Sequence, residues 1–416
     1  MKYALGAQDP HCIPLHRTGW NVAPFIVAAC LATVTPVMAG NGDDVITLEG
    51  HTDEVLAVAV SPDGTRVLTG SADGTARLWN AGTGADLETF DELDGLAVRA
   101  VAFVLHEGEE HVLIGGLEIT GTFPSEEKTA TLWHSGTEDT STFGVSEVAG
   151  TGISNGVLAL SADGALVAVG ASSVAPAPHS FQVKVWEVES GEELLHDLDG
   201  SLDDFAPWAT ALAFSPTGEH TLVGRNGGRI DVLVTDGGEV AHSFDAHTGR
   251  VAAMAPAADA ELLLTGSHDE TAKLWDAAGE EEELLRTMDT HGDHVLAVDI
   301  SAGAERILTA GADNRAMLWD GEEWSLMEIF TGHEDSITAA AFFPNVTHFV
   351  TGSLDGTARI WSHWKIPPES RTTGDFTLSG VTDFQDFNFL LENWGEQIDG
   401  VPLGFLDFIA MLENWG

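Results

Sequence analysis

From residue 44 to residue 90 the chain alternates short apolar runs with small polar turns, on a length scale that suits strands and not helices. Val55 to Val60 is β-branched and apolar, and Ser61-Pro62-Asp63-Gly64 supplies turn residues directly after it. Val67 to Gly70 reads as a second strand, Ala72-Asp73-Gly74 as a tight turn, and Thr75 to Trp79 as a third strand. After Ala81-Gly82-Thr83-Gly84, the run Ala85 to Phe90 gives a fourth. Four strands in succession with turns this short predict one antiparallel sheet per unit.

The unit recurs. Three more segments align with the first without gaps, ending at Trp275, Trp319 and Trp361 as the first ends at Trp79. In all four, a His precedes an Asp by 22 residues and the Asp precedes the Trp by six. The sets are His51, Asp73 and Trp79; His247, Asp269 and Trp275; His291, Asp313 and Trp319; and His333, Asp355 and Trp361. A Thr stands four residues before each Asp, at Thr69, Thr265, Thr309 and Thr351. Looser copies close at Trp133, at Trp186 and at Leu233, where Trp is expected. Seven closing positions, 42 to 54 residues apart, predict seven blades.

Four copies at fixed spacing of the pattern GH…TGSxDGTxxLW resemble the WD-repeat β-propeller family, over about three-quarters of the chain. That resemblance implies an all-β, seven-bladed propeller over residues 44–364. It also implies that each Asp accepts a hydrogen bond from its His, the His reaches the Thr hydroxyl, and the Thr meets the Trp indole N–H. Recurrence in four copies favours this structural role over a catalytic or metal-binding one. Nothing after Trp361 reads as a fourth strand, whereas Asp44 to Leu48 is a lone strand without a blade. Closing the ring with that strand would hide two sheet edges.

Loops leading into each blade share a face with the turn carrying the Asp. Insertions near 117–128 and 172–180 and the long approach to Trp208 would gather Phe123, His179, Phe205 and Trp208 there among acidic side chains. Aromatics ringed by acids suit a protein or peptide ligand, a cationic one in particular. Drift of degenerate blades, with Trp208 packed inward, is the competing reading. Gly152-Ile153-Ser154-Asn155-Gly156 matches the G-x-S-x-G pattern, but a strand and no helix follows, so a turn is expected and not a nucleophile elbow. No catalytic residues are assigned, and a non-catalytic scaffold for a protein or peptide is expected; an exported hydrolase with an active site on the central face and a structural surface component are the alternatives.

Composition alters this picture at both ends. The chain has 416 residues, with 66 Asp plus Glu against 17 Lys plus Arg. A formal charge of −49 argues against nucleic acid as a partner, and fits a cationic ligand, bound Ca²⁺ or a solvated acidic surface. Residues 1–39 read as an export signal: Lys2 and Arg17 lie before an apolar Phe25 to Val34, and Val37-Met38-Ala39 offers small cleavage residues. The alternative is a lipoprotein anchored at Cys30, after Val27-Ala28-Ala29. Either way the mature chain is expected at the surface, in the periplasm or secreted, without a transmembrane helix. Both cysteines, Cys12 and Cys30, fall in the leader.

After a linker at 365–373, residues 374–416 hold a 21-residue repeat ending at Trp394 and Trp415. Each copy reads as a loop and a short amphipathic helix, and the pair resembles dockerin-type duplicated half-EF-hand modules. The resemblance implies attachment to a surface or partner, with a calcium loop formed by Asp375, Thr377, Ser379, the Val381 carbonyl, Asp383 and Asp386. Thr and Ser stand where Asn and Asp are usual, so one weak calcium site is the most expected; a metal-free helical pair is the alternative.

Overall fold

The structure is a computed structural model. It describes residues 46–362, apart from loop positions 92, 94–95, 107–108, 118–127, 135–139, 146–152, 162–163, 174–180, 196–208, 258–261 and 278–282, together with 397–398 and 401–402. The leader at 1–39, the linker, the expected tail helices and the six candidate calcium residues lie outside the described residues. Gln397–Ile398 and Val401–Pro402 pair as a minimal antiparallel hairpin within the tail.

Among the described residues the remaining strands form seven four-stranded antiparallel sheets of an all-β propeller. The first contains Val55–Val60, Arg66–Ser71, Ala76–Asn80 and Asp86–Phe90, in that order across the sheet. The next five sheets begin with Val98–His106, Ile153–Leu160, Ala209–Phe214, Val251–Pro256 and Val295–Ile300. The seventh takes Ile337–Phe342, His348–Ser353 and Ala358–Ser362 from the last repeat. Its outer strand is Ile46–Leu48, from the start of the described chain, with Ile46 opposite Ile360 and Leu48 opposite Ala358. The first strand of each sheet touches that of the next, and Val55–Val60 touches Ile337–Phe342. Thr338 adds a hydroxyl bond of 2.5 Å to the Val55 carbonyl, joining residues 283 positions apart.

The core lies between sheets and not within any one of them. Leu68, Leu78 and Phe90 of the first sheet pack with Val98, Phe103 and Ile114 of the second, and the same kind of cluster recurs around the set. Burying one such side chain stabilises by about 1.5–3 kcal/mol, so the sheets hold one another in place. This packing explains the glycine of the repeated Thr-Gly-Ser. A Cβ on Gly70 would lie 2.5 Å from Cγ1 of Val98, and one on Gly352 would lie 2.7 Å from Cγ1 of Val55. Gly224 and Gly266 meet Val251 and Val295 in the same way. Each glycine is the notch that admits the leading valine of the following sheet.

One expectation is corrected. Residues 153–156 are not a turn: Ile153–Leu160 is continuous strand, with a register irregularity between Ile153 and Asn155. The extended Ser154 therefore lacks the strand-to-helix elbow that exposes a nucleophile. No helix among the described residues is long and apolar enough to cross a membrane.

Candidate functional site

The strict repeats place their His, Thr, Asp and Trp side chains in four superimposable hydrogen-bonded chains. His51 Nδ1 lies 3.0 Å from Asp73 Oδ2, its Nε2 lies 2.8 Å from Thr69 Oγ1, and Trp79 Nε1 donates to the same Oγ1 at 2.8 Å. For His247 the distances are 3.0 Å to Asp269 and 2.7 Å to Thr265, with Trp275 donating to Thr265 at 3.0 Å. For His291 they are 3.0 Å to Asp313 and 2.9 Å to Thr309, with Trp319 donating to Thr309 at 3.0 Å. His333 lies 2.8 Å from both Asp355 and Thr351, and Trp361 donates to Thr351 at 2.8 Å.

One proton assignment satisfies every group. Indole N–H donates to the Thr oxygen, the Thr hydroxyl to His Nε2, and His Nδ1–H to the carboxylate, so the imidazole is neutral. Burial favours that state, pushing the pKa of His51 and His247 below the ordinary value against the opposing pull of Asp73 and Asp269. At the carboxylates burial acts in the opposite direction, but the hydrogen bonds win. Asp73 is held at about 2 by Thr75, the Thr52 amide and His51, and Asp269 and Asp355 are held at about 2 by equivalent donors. Asp313 is lowered despite its burial, by His291 and the Gly292 and Arg315 amides; Arg315 stands where Thr75, Thr271 and Thr357 stand elsewhere. A chain of partners this complete anchors the second turn to the start of each sheet. It leaves none of these four imidazoles free to act as a base.

The fourth sheet shows that the network can be dispensed with if it goes as a whole. Strand pairing puts Val223, Gly227 and Leu233 where Thr, Asp and Trp stand in the strict repeats. Val223 and Leu233 are fully buried, so the apolar set fills the same space without polar atoms. Nearby, Asp231 accepts from Arg225 Nε at 2.6 Å and from Arg229 Nε at 2.9 Å. Burial would raise Asp231, but Arg225, the Ser243 hydroxyl and Arg229 together hold its pKa below the ordinary carboxylate value.

Asp299 departs from the pattern most sharply. Its column along the seven first strands reads Ala59, Ala102, Ala159, Ala213, Ala255, Asp299 and Ala341. Its carboxylate accepts from the Phe342 amide of the next sheet at 2.7 Å and from its own neighbour Ile300 at 2.9 Å. Burial raises it to about 6, above what those two bonds can offset. Sequence reasoning passed over this residue. Reading down the column instead of along the chain is the signal that finds it.

The recognition residues expected on the loops, Phe123, His179, Phe205 and Trp208, lie outside the described residues. The second, third and fourth sheets that carry those loops are described, and they neighbour one another.

A family model described as WD domain, G-beta repeat, matches residues 42–80, 238–276, 282–320 and 324–362. The matched segments are those that hold the four complete networks. The chain is 31% identical to WD repeat-containing protein 18 of Homo sapiens over 120 residues, 25% of each protein. It is 32% identical to the Bos taurus protein of the same name over 126 residues, 27% of each. It thus spans about a quarter of the length of these curated relatives. The repeat matches, the partial relatives and the four hydrogen-bonded sets together mark these segments as similar to WD repeats.

Proposed function

We propose that the seven sheets are the blades of one closed ring, which is exported and works as a non-catalytic scaffold for a protein or peptide partner. In this reading the dockerin-like tail attaches or sorts the ring and holds at most one calcium ion. One observation carries the scaffold reading. The His–Asp pairs of the strict repeats, the residues best suited to catalysis by type, are committed to framework hydrogen bonds at both ring nitrogens. Similarity of four segments to the WD repeat, whose propellers serve as interaction scaffolds, supports the same conclusion. The loops of blades two to four, with Phe123, His179, Phe205 and Trp208, are the proposed contact surface.

The test is capture of secreted proteins by the full chain and by a variant with Phe123 and Trp208 changed to alanine. Lost capture with an unchanged melting temperature supports the surface. Retained capture, or a collapse in melting temperature that marks the pair as core, refutes it. Calorimetry with calcium on the full chain and on Asp375→Ala tests the tail; no heat from the unaltered chain removes the metal.

A further inference from the structure

Basic groups are scarce in this chain, with 17 Lys plus Arg against 66 acidic residues, yet three basic side chains meet at the seam between blades five and six. Arg250 precedes the first strand of blade five, and its carbonyl accepts from the His268 amide at 2.9 Å. His268 stands beside Asp269 in the second turn of the same blade. Its ring stacks on that of His294, the residue before the first strand of blade six, with centroids 4.1 Å apart and planes at 7°. Arg250 and His294 occupy one column of the repeat, where Glu54 and Ser336 stand in blades one and seven.

The seam is short of negative charge. Among the described residues Arg250 makes no ion pair, its Nε is enclosed without a partner, and burial lowers its affinity for a proton with no acid nearby to compensate. The facing acid is Asp293, 3.5 Å from His294 Nδ1, beyond good hydrogen-bond length. A partly desolvated guanidinium without a counter-ion is costly, and here it persists in a chain with an excess of carboxylates.

We propose that Arg250, His268 and His294 form a binding site for a carboxylate on an acidic peptide segment of the partner. The inference rests on the scaffold reading and places one contact on the face shared by the leading loops and second turns. The guanidinium fork matches the two oxygens of a carboxylate. The His268 imidazole makes binding depend on pH. His268 is lowered to about 4, first by burial, then by His294 and Arg250, with Asp293 opposing. A bound anion stabilises the protonated ring, so binding takes up protons and strengthens as pH falls.

The probe is tetraglutamate, added to the full chain at 0.15 M salt, where repulsion from the acidic surface is screened beyond about 8 Å. Saturable binding is expected to tighten several-fold between pH 7 and pH 5.5. Arg250→Gln should weaken it at least tenfold, His268→Gln should flatten its pH dependence, and Arg286→Gln, on an exposed outer strand, should change neither. In the unaltered protein, carbon-labelled histidine should show the His268 titration moving up when tetraglutamate is added; this readout does not depend on a variant folding. Inorganic phosphate binding where tetraglutamate does not would overturn the peptide assignment. An unmoved His268 titration, or equal losses in the Arg250 and Arg286 variants, would overturn the site. A partner captured equally well by Arg250→Gln sinks this contact while leaving the scaffold standing.

Discussion

Replacing Asp299 with Asn should stabilise the propeller at neutral and alkaline pH and do almost nothing in acid. The folded-state pKa is raised to about 6 from 3.8, close to two units. At 1.36 kcal/mol per unit this is about 3 kcal/mol, and the solvent contact that Asp299 keeps reduces it to roughly 2 kcal/mol. The native state binds this proton more tightly than the unfolded chain does. The associated stabilisation is therefore complete below about pH 4 and is lost as pH rises through about 6. Asparagine has nearly the same shape and retains an oxygen for the Phe342 amide, but cannot ionise. Denaturant unfolding of both proteins at pH 4 and pH 8 provides the comparison, and taking their difference at each pH cancels the self-repulsion of the acidic surface. A gain near 2 kcal/mol at pH 8 that shrinks towards zero at pH 4 is expected. Equal differences at both values would refute the reasoning, because the carboxylate would then be ionised without penalty.

Thr265→Val should cost about 2–4 kcal/mol, since it leaves both His247 Nε2 and Trp275 Nε1 buried without a partner. Combining it with His247→Phe, Asp269→Gly and Trp275→Leu, to match Phe205, Val223, Gly227 and Leu233 of the fourth repeat, should cost clearly less than the sum of the single changes; strict additivity in denaturant unfolding would contradict a coupled network. Glu270 and Asn314 hold φ of 68° and 62° where Gly74 and Gly356 hold 85° and 79°, so Glu270→Gly and Asn314→Gly should stabilise by up to about 1 kcal/mol, read as a rise in denaturation midpoint. The carboxylates held at about 2 should give the opposite acid response to Asp299: the unaltered protein should lose stability relative to Asp355→Asn as pH falls from about 4 to 2. Deleting residues 44–49 should lower the melting temperature of the propeller, because Ile46–Leu48 is the outer strand of the seventh sheet.

Strand, turn and repeat were legible because each depends on local chemistry. β-branched runs, Asp-Gly turns and a fixed spacing of His, Asp and Trp are properties of neighbouring residues. The hydrogen-bonded sets could be named for the same reason, since every copy keeps the same interval along the chain. Three features could not be read this way, and each arises between repeats. Gly70 is a notch only because Val98 arrives from the next sheet. Asp299 is raised by burial that exists only in the folded sheet pair, against the hydrogen bond it accepts from Phe342, 43 residues away. Arg250, His268 and His294 are unremarkable singly and become a basic cluster only when two blades pack side by side.

The sequence by itself determined the repeat, the strand order within each unit and the four framework sets, because short-range propensity and periodicity suffice for these. Only the tertiary structure decided which carboxylate is forced towards its protonated form and which basic side chains meet across a seam. Desolvation and ion pairing depend on what lies across a seam, and that is set by how neighbouring sheets pack.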